Sequence, residues 1–160
     1  MSLTKRYNYI FYMGTLGLAL ILKILPLSLS TQNLAPDWVL LVLIYWLLSE
    51  PHKIGIFNAF FIGLLVDVLT GRLLGQYSLG YIFAAYLCLK LHNRLQNVRL
   101  AQQGFIIFLI LIISQSILLW TETIQHARLH DLNFWLPALT GALCWPLVKY
   151  LLNHSQRWFN

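Results

Sequence analysis

Charged residues are scarce in this sequence, at 10% of 160 residues, and acidic residues are the rarest, with 5 against 11 lysines and arginines. A soluble domain typically carries about 25% charged residues, so the composition excludes an ordinary soluble domain. Hydrophobic residues make up 59% of the chain, more than one small core can bury, whereas a bilayer solvates apolar side chains directly. The sequence therefore predicts an all-α, polytopic integral membrane protein with almost nothing outside the bilayer.

Groups that carry catalysis are also sparse. Cys88 and Cys144 are far apart and lack metal-ligand spacing, so we expect them to be packing residues. The predicted membrane core offers one carboxylate, Asp67, and no recognisable nucleophile motif. A channel or proton-coupled carrier would typically repeat ionisable groups along a route. We therefore expect neither an enzyme nor a cofactor or metal site.

Two other polar groups have ordinary interpretations. Ser114–Ser116 lies in the middle of an apolar stretch, where such side chains more often bond to neighbouring helices than line a pathway. Glu122, His126 and His130 are spaced by four, which would suit zinc on a helix, but a solvated loop is the favoured interpretation.

The apolar stretches predict one membrane domain, residues 1–160, with six transmembrane helices. Their predicted ranges are residues 7–29, 37–49, 54–70, 76–91, 103–121 and 133–152. The second is short for a span of about 20 residues and leaves a re-entrant or interfacial segment open. The first is too long and too interrupted, by Lys23, for a cleaved signal peptide to be favoured.

The distribution of lysine and arginine orients these helices, because short cytoplasmic loops retain basic residues. With the N-terminus inside, Arg72 and Arg128 face outwards. The basic residues that then face the cytoplasm are Lys5, Arg6, Lys53, Lys90, Arg94, Arg99, Lys149 and Arg157. Removing the second helix would reverse three of them, so we expect it to span and both termini to lie in the cytoplasm. No continuous basic patch with aromatics supports nucleic-acid binding.

The most specific pattern is Gly63, Asp67, Gly71 and Gly75, spaced by four residues. Residues i and i+4 share a helix face, and glycines allow another backbone to approach closely. A carboxylate on that face is then buried in protein and requires a partner.

Lys23 is the predicted partner of Asp67 in an intramembrane ion pair, because a rise of about 1.5 Å per residue places both at a similar depth. The alternatives are a hydrated Asp67 at the outer interface, a Lys23 that extends outwards, and Arg72 as partner of the carboxylate.

Several features together resemble the bacterial rod shape-determining protein MreD family over nearly the whole chain. They are the length, the apolar segments, Pro36-Asp37-Trp38 opening the second helix, the glycine spacing, and Gly141 to Pro146 in the last helix. The helix-packing or partner-binding residues predicted from these motifs are Pro36, Trp38, Gly63, Asp67, Gly71, Gly75, Trp145 and Pro146.

The resemblance implies a non-enzymatic scaffold of the cell-wall elongation machinery in the inner membrane. The implied partners are MreC, bound directly, and MreB, RodA and its penicillin-binding transpeptidase in the same complex. A homodimer is left open. The family is also similar in fold to the substrate-binding membrane subunits of energy-coupling-factor transporters, which makes a ligand-binding transporter subunit the second hypothesis.

Overall fold

The computed structural model describes residues 9–25, 34–125 and 132–159, and every regular element in these ranges is helical. The helices are α1 (Tyr9–Ile24), α2 (Trp38–Ser49), α3 (Ile56–Thr70), α4 (Gln76–Lys90), α5 (His92–Asn97), α6 (Leu100–Gln125) and α7 (Leu136–Phe159), with a 3-10 turn at Leu132–Trp135. The predicted all-α class is confirmed. Two stretches of the described chain, Leu100–Ile124 and Asn133–Trp158, are helical, long and apolar enough to cross a membrane.

The predicted boundaries differ from the observed ones mainly at the ends of the last two long helices. Prediction placed the fifth helix at 103–121 and the sixth at 133–152, whereas α6 spans Leu100–Gln125 and α7 spans Leu136–Phe159. Polar residues continue both helices past the apolar stretch, so hydropathy alone underestimates their lengths. The short α5 was not predicted as a separate helix. Residues 7, 8 and 26–29 of the first predicted helix lie outside the described ranges.

Helix α2 lies at the centre of the fold. Its sequence is apolar all round, which is typical of a helix enclosed by others, and every residue from 39 to 48 is buried. It packs against α1, α4 and α7. The indole N–H of Trp46 donates to the Thr15 hydroxyl over 3.0 Å, and the Trp46 ring contacts Tyr12 edge to face. These contacts join α2 to α1.

Helices α3 and α4 form a tight antiparallel hairpin. Gly71 ends α3 with φ of 65° and Gly75 precedes α4 with φ of 106°, both in the left-handed region that favours glycine. A Cβ added at Gly63 would lie 2.4 Å from the Cα of Ser78, so the two backbones are in direct contact. Gly63 is thus a close-approach position, while Gly71 and Gly75 serve the turn.

Helix α6 packs beside the α3–α4 hairpin, through α4, and α7 packs against α6. A Cβ at Gly80 would lie 2.8 Å from the Ser114 hydroxyl, so α4 and α6 also approach closely. Among the described residues, one cavity lies at each end of α2. We call them the outer cavity, where α2 begins, and the inner pocket, where α2 ends.

Candidate functional site

The outer cavity has a volume of about 520 Å³ and lies among α1, the start of α2, the α3–α4 loop, α6 and the start of α7. Its polar lining includes Lys23, Asp37, Arg72, Ser114 and Gln115. Its volume lies within the range of about 300 to 1,000 Å³ that is usual for small-molecule sites.

An ion pair between Lys23 and Asp37 forms one wall of the outer cavity, with 2.9 Å between the ammonium nitrogen and a carboxylate oxygen. The fully buried Tyr81 hydroxyl donates to the same carboxylate over 2.9 Å. The Lys23 ammonium also lies 3.9 Å from the centre of the Tyr77 ring, a favourable cation–π distance. These contacts join α1, α2 and α4.

The predicted Lys23–Asp67 ion pair is therefore replaced by a Lys23–Asp37 pair. The reason is that α1 and α2 run antiparallel, with Lys23 beside Asp37 and Thr15 beside Trp46, so the end of α1 and the start of α2 lie at the same end of the bundle. Asp37 is also the N-cap of α2, accepting from the backbone N–H of Leu40 over 3.4 Å.

Asp67 is fully buried, and its carboxylate bonds to the start of α4. The backbone N–H groups of Gly75 and Tyr77 each donate to it over 2.8 Å. Ser78 donates its hydroxyl over 3.2 Å and its backbone N–H over 3.5 Å. A helix N-terminus carries unpaired N–H groups and a partial positive charge, so backbone amides provide the partner that we predicted to be Lys23.

Arg72, the alternative partner for Asp67, forms an ion pair with Glu122 near the end of α6. This contact joins the α3–α4 loop to α6. It also gives Glu122 a role other than metal binding, while His126 and His130 lie outside the described residues. No group of three potential metal ligands occurs in the part of the chain that the structure describes.

The three polar residues in the middle of α6, Ser114, Gln115 and Ser116, have different environments. Ser114 is buried against Gly80, whereas the Ser116 hydroxyl donates to the carbonyl of Ile112 in its own helix over 2.8 Å. The Gln115 side chain lines the outer cavity, and its buried carbonyl oxygen has no hydrogen-bond partner. The expected bonds to neighbouring helices are therefore absent at two positions, because Ser116 bonds to its own helix and the Gln115 side chain faces a cavity.

The inner pocket, with a volume of about 390 Å³, lies among α2, α5, α6 and α7. The Lys149 ammonium donates to the Gln103 side-chain carbonyl over 2.7 Å, and Gln103 in turn donates to the carbonyl of Leu95 over 2.9 Å. The Tyr45 hydroxyl donates to the Asn153 side-chain carbonyl over 2.8 Å. Amide side chains therefore dominate this lining.

The predicted site residues fall into separate parts of the molecule. Pro36 and Trp38 line the outer cavity, and Trp145 lines the inner pocket. Pro146 is exposed on the surface of α7. The glycine and aspartate pattern lies in the α3–α4 hairpin, so the structure does not bring the eight positions together.

Sequence reasoning missed Asp37 and Tyr81 as partners of Lys23, and Lys149 and Gln103 as a bonded pair. A signal for Asp37 is present, because Asp before an apolar run is typical of a helix N-cap. Its position at the start of α2 also places it at the same end of the bundle as Lys23. No comparable signal marks Tyr81 or Gln103, whose contacts depend on how separate helices pack.

The described residues form a helical bundle with two helices that are long and apolar enough to cross a membrane, which indicates a small helical membrane protein. A family described as rod shape-determining protein MreD matches residues 5–155, and the chain belongs to this family of membrane proteins involved in rod shape. It is 30% identical over 140 residues to the rod shape-determining protein MreD of Haemophilus influenzae, covering 88% of this chain and 86% of that protein. No solved structure matches the chain.

Proposed function

We propose that this protein is a non-enzymatic, multi-pass scaffold of the bacterial inner membrane that maintains rod shape by binding MreC. Through MreC it links cytoplasmic MreB to RodA and its penicillin-binding transpeptidase. The observation that carries the proposal is family membership over residues 5–155. The charged groups at the outer end support a structural role, because each has a partner within the chain. Asp67 accepts from the start of α4, Lys23 pairs with Asp37, and Arg72 pairs with Glu122.

Six spanning helices, α1 to α4, α6 and α7, with both termini inside, form the proposed topology. Helix α2 is the hardest to reconcile, because 12 residues extend about 18 Å while the hydrocarbon layer is about 30 Å thick. Its burial supports a span of this length, since residues that line the outer cavity and the inner pocket surround its two ends. Polar backbone is tolerated at such depths when protein or a cavity surrounds it.

The surface of α7 around Pro146 is the proposed contact for the membrane helix of MreC. Among the predicted partner-binding residues in the helices, Pro146 is exposed, and Leu143 and Leu147 beside it are 72% and 58% exposed. Gly63 and Asp67 are buried in the α3–α4 hairpin, so they would affect partner binding only by fixing the conformation of the hairpin.

Copurification of MreC tests the proposal. Tagged full-length protein is isolated in mild detergent from membranes that also contain MreC, and MreC recovery is measured. We expect Leu143→Ala with Leu147→Ala to lower recovery severalfold. The matched control, Leu18→Ala with Ile21→Ala, removes equally exposed side chains of α1 and should leave recovery unchanged. Equal effects of the two pairs of substitutions on MreC recovery would refute the α7 surface as the contact for MreC.

Depletion in rod-shaped cells tests the biological role separately. We expect depleted cells to become round, and re-expression of the full chain to restore rods. Cells that keep their shape, together with no recovery of MreC, would refute the scaffold.

A small-ligand-binding transporter subunit is the second candidate function, in line with the predicted similarity to energy-coupling-factor subunits. The outer cavity of about 520 Å³ and the unpartnered Gln115 carbonyl favour it. Mass spectrometry of the gently purified protein separates the two functions. A stoichiometric small molecule that is lost in Gln115→Leu supports the transporter subunit, and its absence supports the scaffold.

A further inference from the structure

The inner pocket lies at the opposite end of α2 from the charged outer cavity and has a different chemical character. Its lining comes from the end of α2, the short α5, the start of α6 and the second half of α7. With the proposed orientation, this end faces the cytoplasmic leaflet. Amide and aromatic side chains surround a volume of about 390 Å³, large enough for a ligand with several polar atoms.

Lys149 gives the inner pocket a positive charge that no carboxylate balances. Its ammonium group donates to Gln103 over 2.7 Å, which leaves two of its three N–H groups for other acceptors. No acidic residue lines the pocket, and the ion pairs among the described residues involve other lysines and arginines. A partly buried cation without a counter-charge favours an anionic ligand.

Trp145 supplies a second, independent observation. It lines the pocket and is fully buried, yet its indole N–H has no hydrogen-bond partner in the described structure. Buried donors are nearly always bonded, so an unpaired one in a cavity wall indicates an acceptor supplied from outside the chain. Asn153 adds a donor, because its carbonyl accepts from Tyr45 while its amide N–H groups stay available.

The part of the lining that α5 supplies offers acceptors. Gln96 and Asn97 use their side-chain N–H groups on the backbone carbonyls of Leu48 and Asn93. Their side-chain carbonyl oxygens are thereby left to accept from hydroxyl groups. Donors beside a cation on α7, together with amide acceptors on α5, match a ligand that carries both an anionic phosphate and hydroxyls.

We propose that the inner pocket binds the phosphate of an anionic phosphate ester, and that its source is the glycerol-phosphate headgroup of an inner-leaflet phospholipid. Basic pockets between membrane helices on the cytoplasmic side characteristically bind anionic headgroups. The proposal uses the orientation given under the proposed function only for the choice of leaflet. Binding at the pocket itself is independent of MreC.

Lipid titration of the purified full chain in a neutral detergent tests the proposal, with bound lipid counted by native mass spectrometry. The probes are phosphatidylglycerol and phosphatidylcholine of equal chain length. We expect Lys149→Gln to weaken phosphatidylglycerol binding about fivefold, the equivalent of one basic residue near a membrane surface. Trp145→Phe, which removes the N–H and keeps a ring, should also weaken it.

Lys90→Gln is the matched control, because it removes one positive charge at the same end from a residue outside the pocket lining. It should bind phosphatidylglycerol as the unmodified protein does. Equal binding of both lipids, or equal loss in Lys90→Gln and Lys149→Gln, would overturn the proposal. Circular dichroism on each variant identifies loss of folding. If Trp145→Phe does not fold, the lipid binding of Lys149→Gln tests the proposal.

A competition with inorganic phosphate distinguishes the two sources of the phosphate group. If millimolar phosphate displaces phosphatidylglycerol in a Lys149-dependent way, a soluble phosphate is the ligand and the lipid assignment is wrong. If it does not displace the lipid, the headgroup assignment stands. MreC recovery is measured with Lys149→Gln in the same preparations. Loss of lipid binding with normal MreC recovery concerns the inner pocket alone, whereas loss of MreC recovery concerns the proposed scaffold function.

Discussion

The two ends of helix α2 differ in how their charges are neutralised. At the outer end, Lys23 pairs with Asp37, and Asp67 bonds to the N-terminus of α4. At the inner end, Glu50 at the end of α2 pairs with Lys53, whereas Lys149 in the inner pocket has an amide oxygen as its partner. The difference teaches that polarity inside this bundle has two uses. Compensated charges join helices at the outer end, while the uncompensated charge at the inner end leaves bonding capacity for a ligand.

Replacing Asp67 should have the largest effect on stability. Asp67→Leu removes a buried carboxylate that accepts four hydrogen bonds from Gly75, Tyr77 and Ser78. Leaving buried N–H groups unpaired costs about 1 to 3 kcal/mol each, so we expect a loss of about 4 kcal/mol in unfolding free energy. Reversible unfolding in mixed micelles measures it.

Asp67→Asn provides the matched control, because it keeps one carbonyl acceptor of similar shape and loses the charge. It should cost about half as much as Asp67→Leu. Little loss in either variant would show that the carboxylate does not hold the α3–α4 hairpin.

The next largest effect should come from Gly63→Ala. The added Cβ would lie 2.4 Å from the Ser78 Cα, so the α3 and α4 backbones must separate, at a cost of about 3 kcal/mol. Gly14→Ala is the control, since a Cβ there meets nothing within 4 Å and alanine favours the helix. Equal thermal midpoints of the two variants would contradict the close approach of α3 and α4.

A double-mutant cycle tests the choice of partner for Lys23. Lys23→Met and Asp37→Asn should show a coupling energy of about 2 kcal/mol, because each variant leaves the other charge unpaired among side chains that are 14% and 20% exposed. The cycle of Lys23→Met with Asp67→Asn should give below about 0.5 kcal/mol. A larger coupling energy for Lys23 with Asp67 than for Lys23 with Asp37 would support the Lys23–Asp67 ion pair expected from helix depth.

The smallest effect should come from Lys149→Gln. In lipid-free detergent it removes one hydrogen bond to Gln103 and relieves an uncompensated charge, so we expect a change below about 0.5 kcal/mol. Unfolding of the delipidated protein measures it. A loss as large as that of Asp67→Leu would end the contrast between the two ends, because Lys149 would then be a structural residue.

Some of the fold follows directly from the sequence. The apolar stretch after Asp37 predicts a helix over residues 37–49, and α2 covers Trp38–Ser49, but its enclosure by α1, α4 and α7 was not predicted. The spacing of Gly63 and Asp67 predicts a close helix contact with a buried carboxylate, and both are present. Gly71 and Gly75 share the spacing for another reason, namely the left-handed conformation of the turn.

The partners of the polar groups were less accessible to sequence reasoning. Counting residues gives depth along one helix axis but not the rotation of one helix about its neighbour. It therefore identified Lys23 and Asp67 as equally deep without showing that Asp37 lies beside Lys23. Backbone donors such as the N–H of Tyr77 carry no side-chain signature at all. The two cavities likewise depend on how far α2 falls short of its neighbours.

Recovery of MreC with the tagged full-length chain tests the scaffold most directly. Copies of MreC retained per copy of this protein are counted after detergent extraction. We predict stoichiometric recovery with the unmodified chain and with Lys149→Gln, and severalfold less with Leu143→Ala and Leu147→Ala combined. A folded, unmodified chain that retains no MreC would contradict the account.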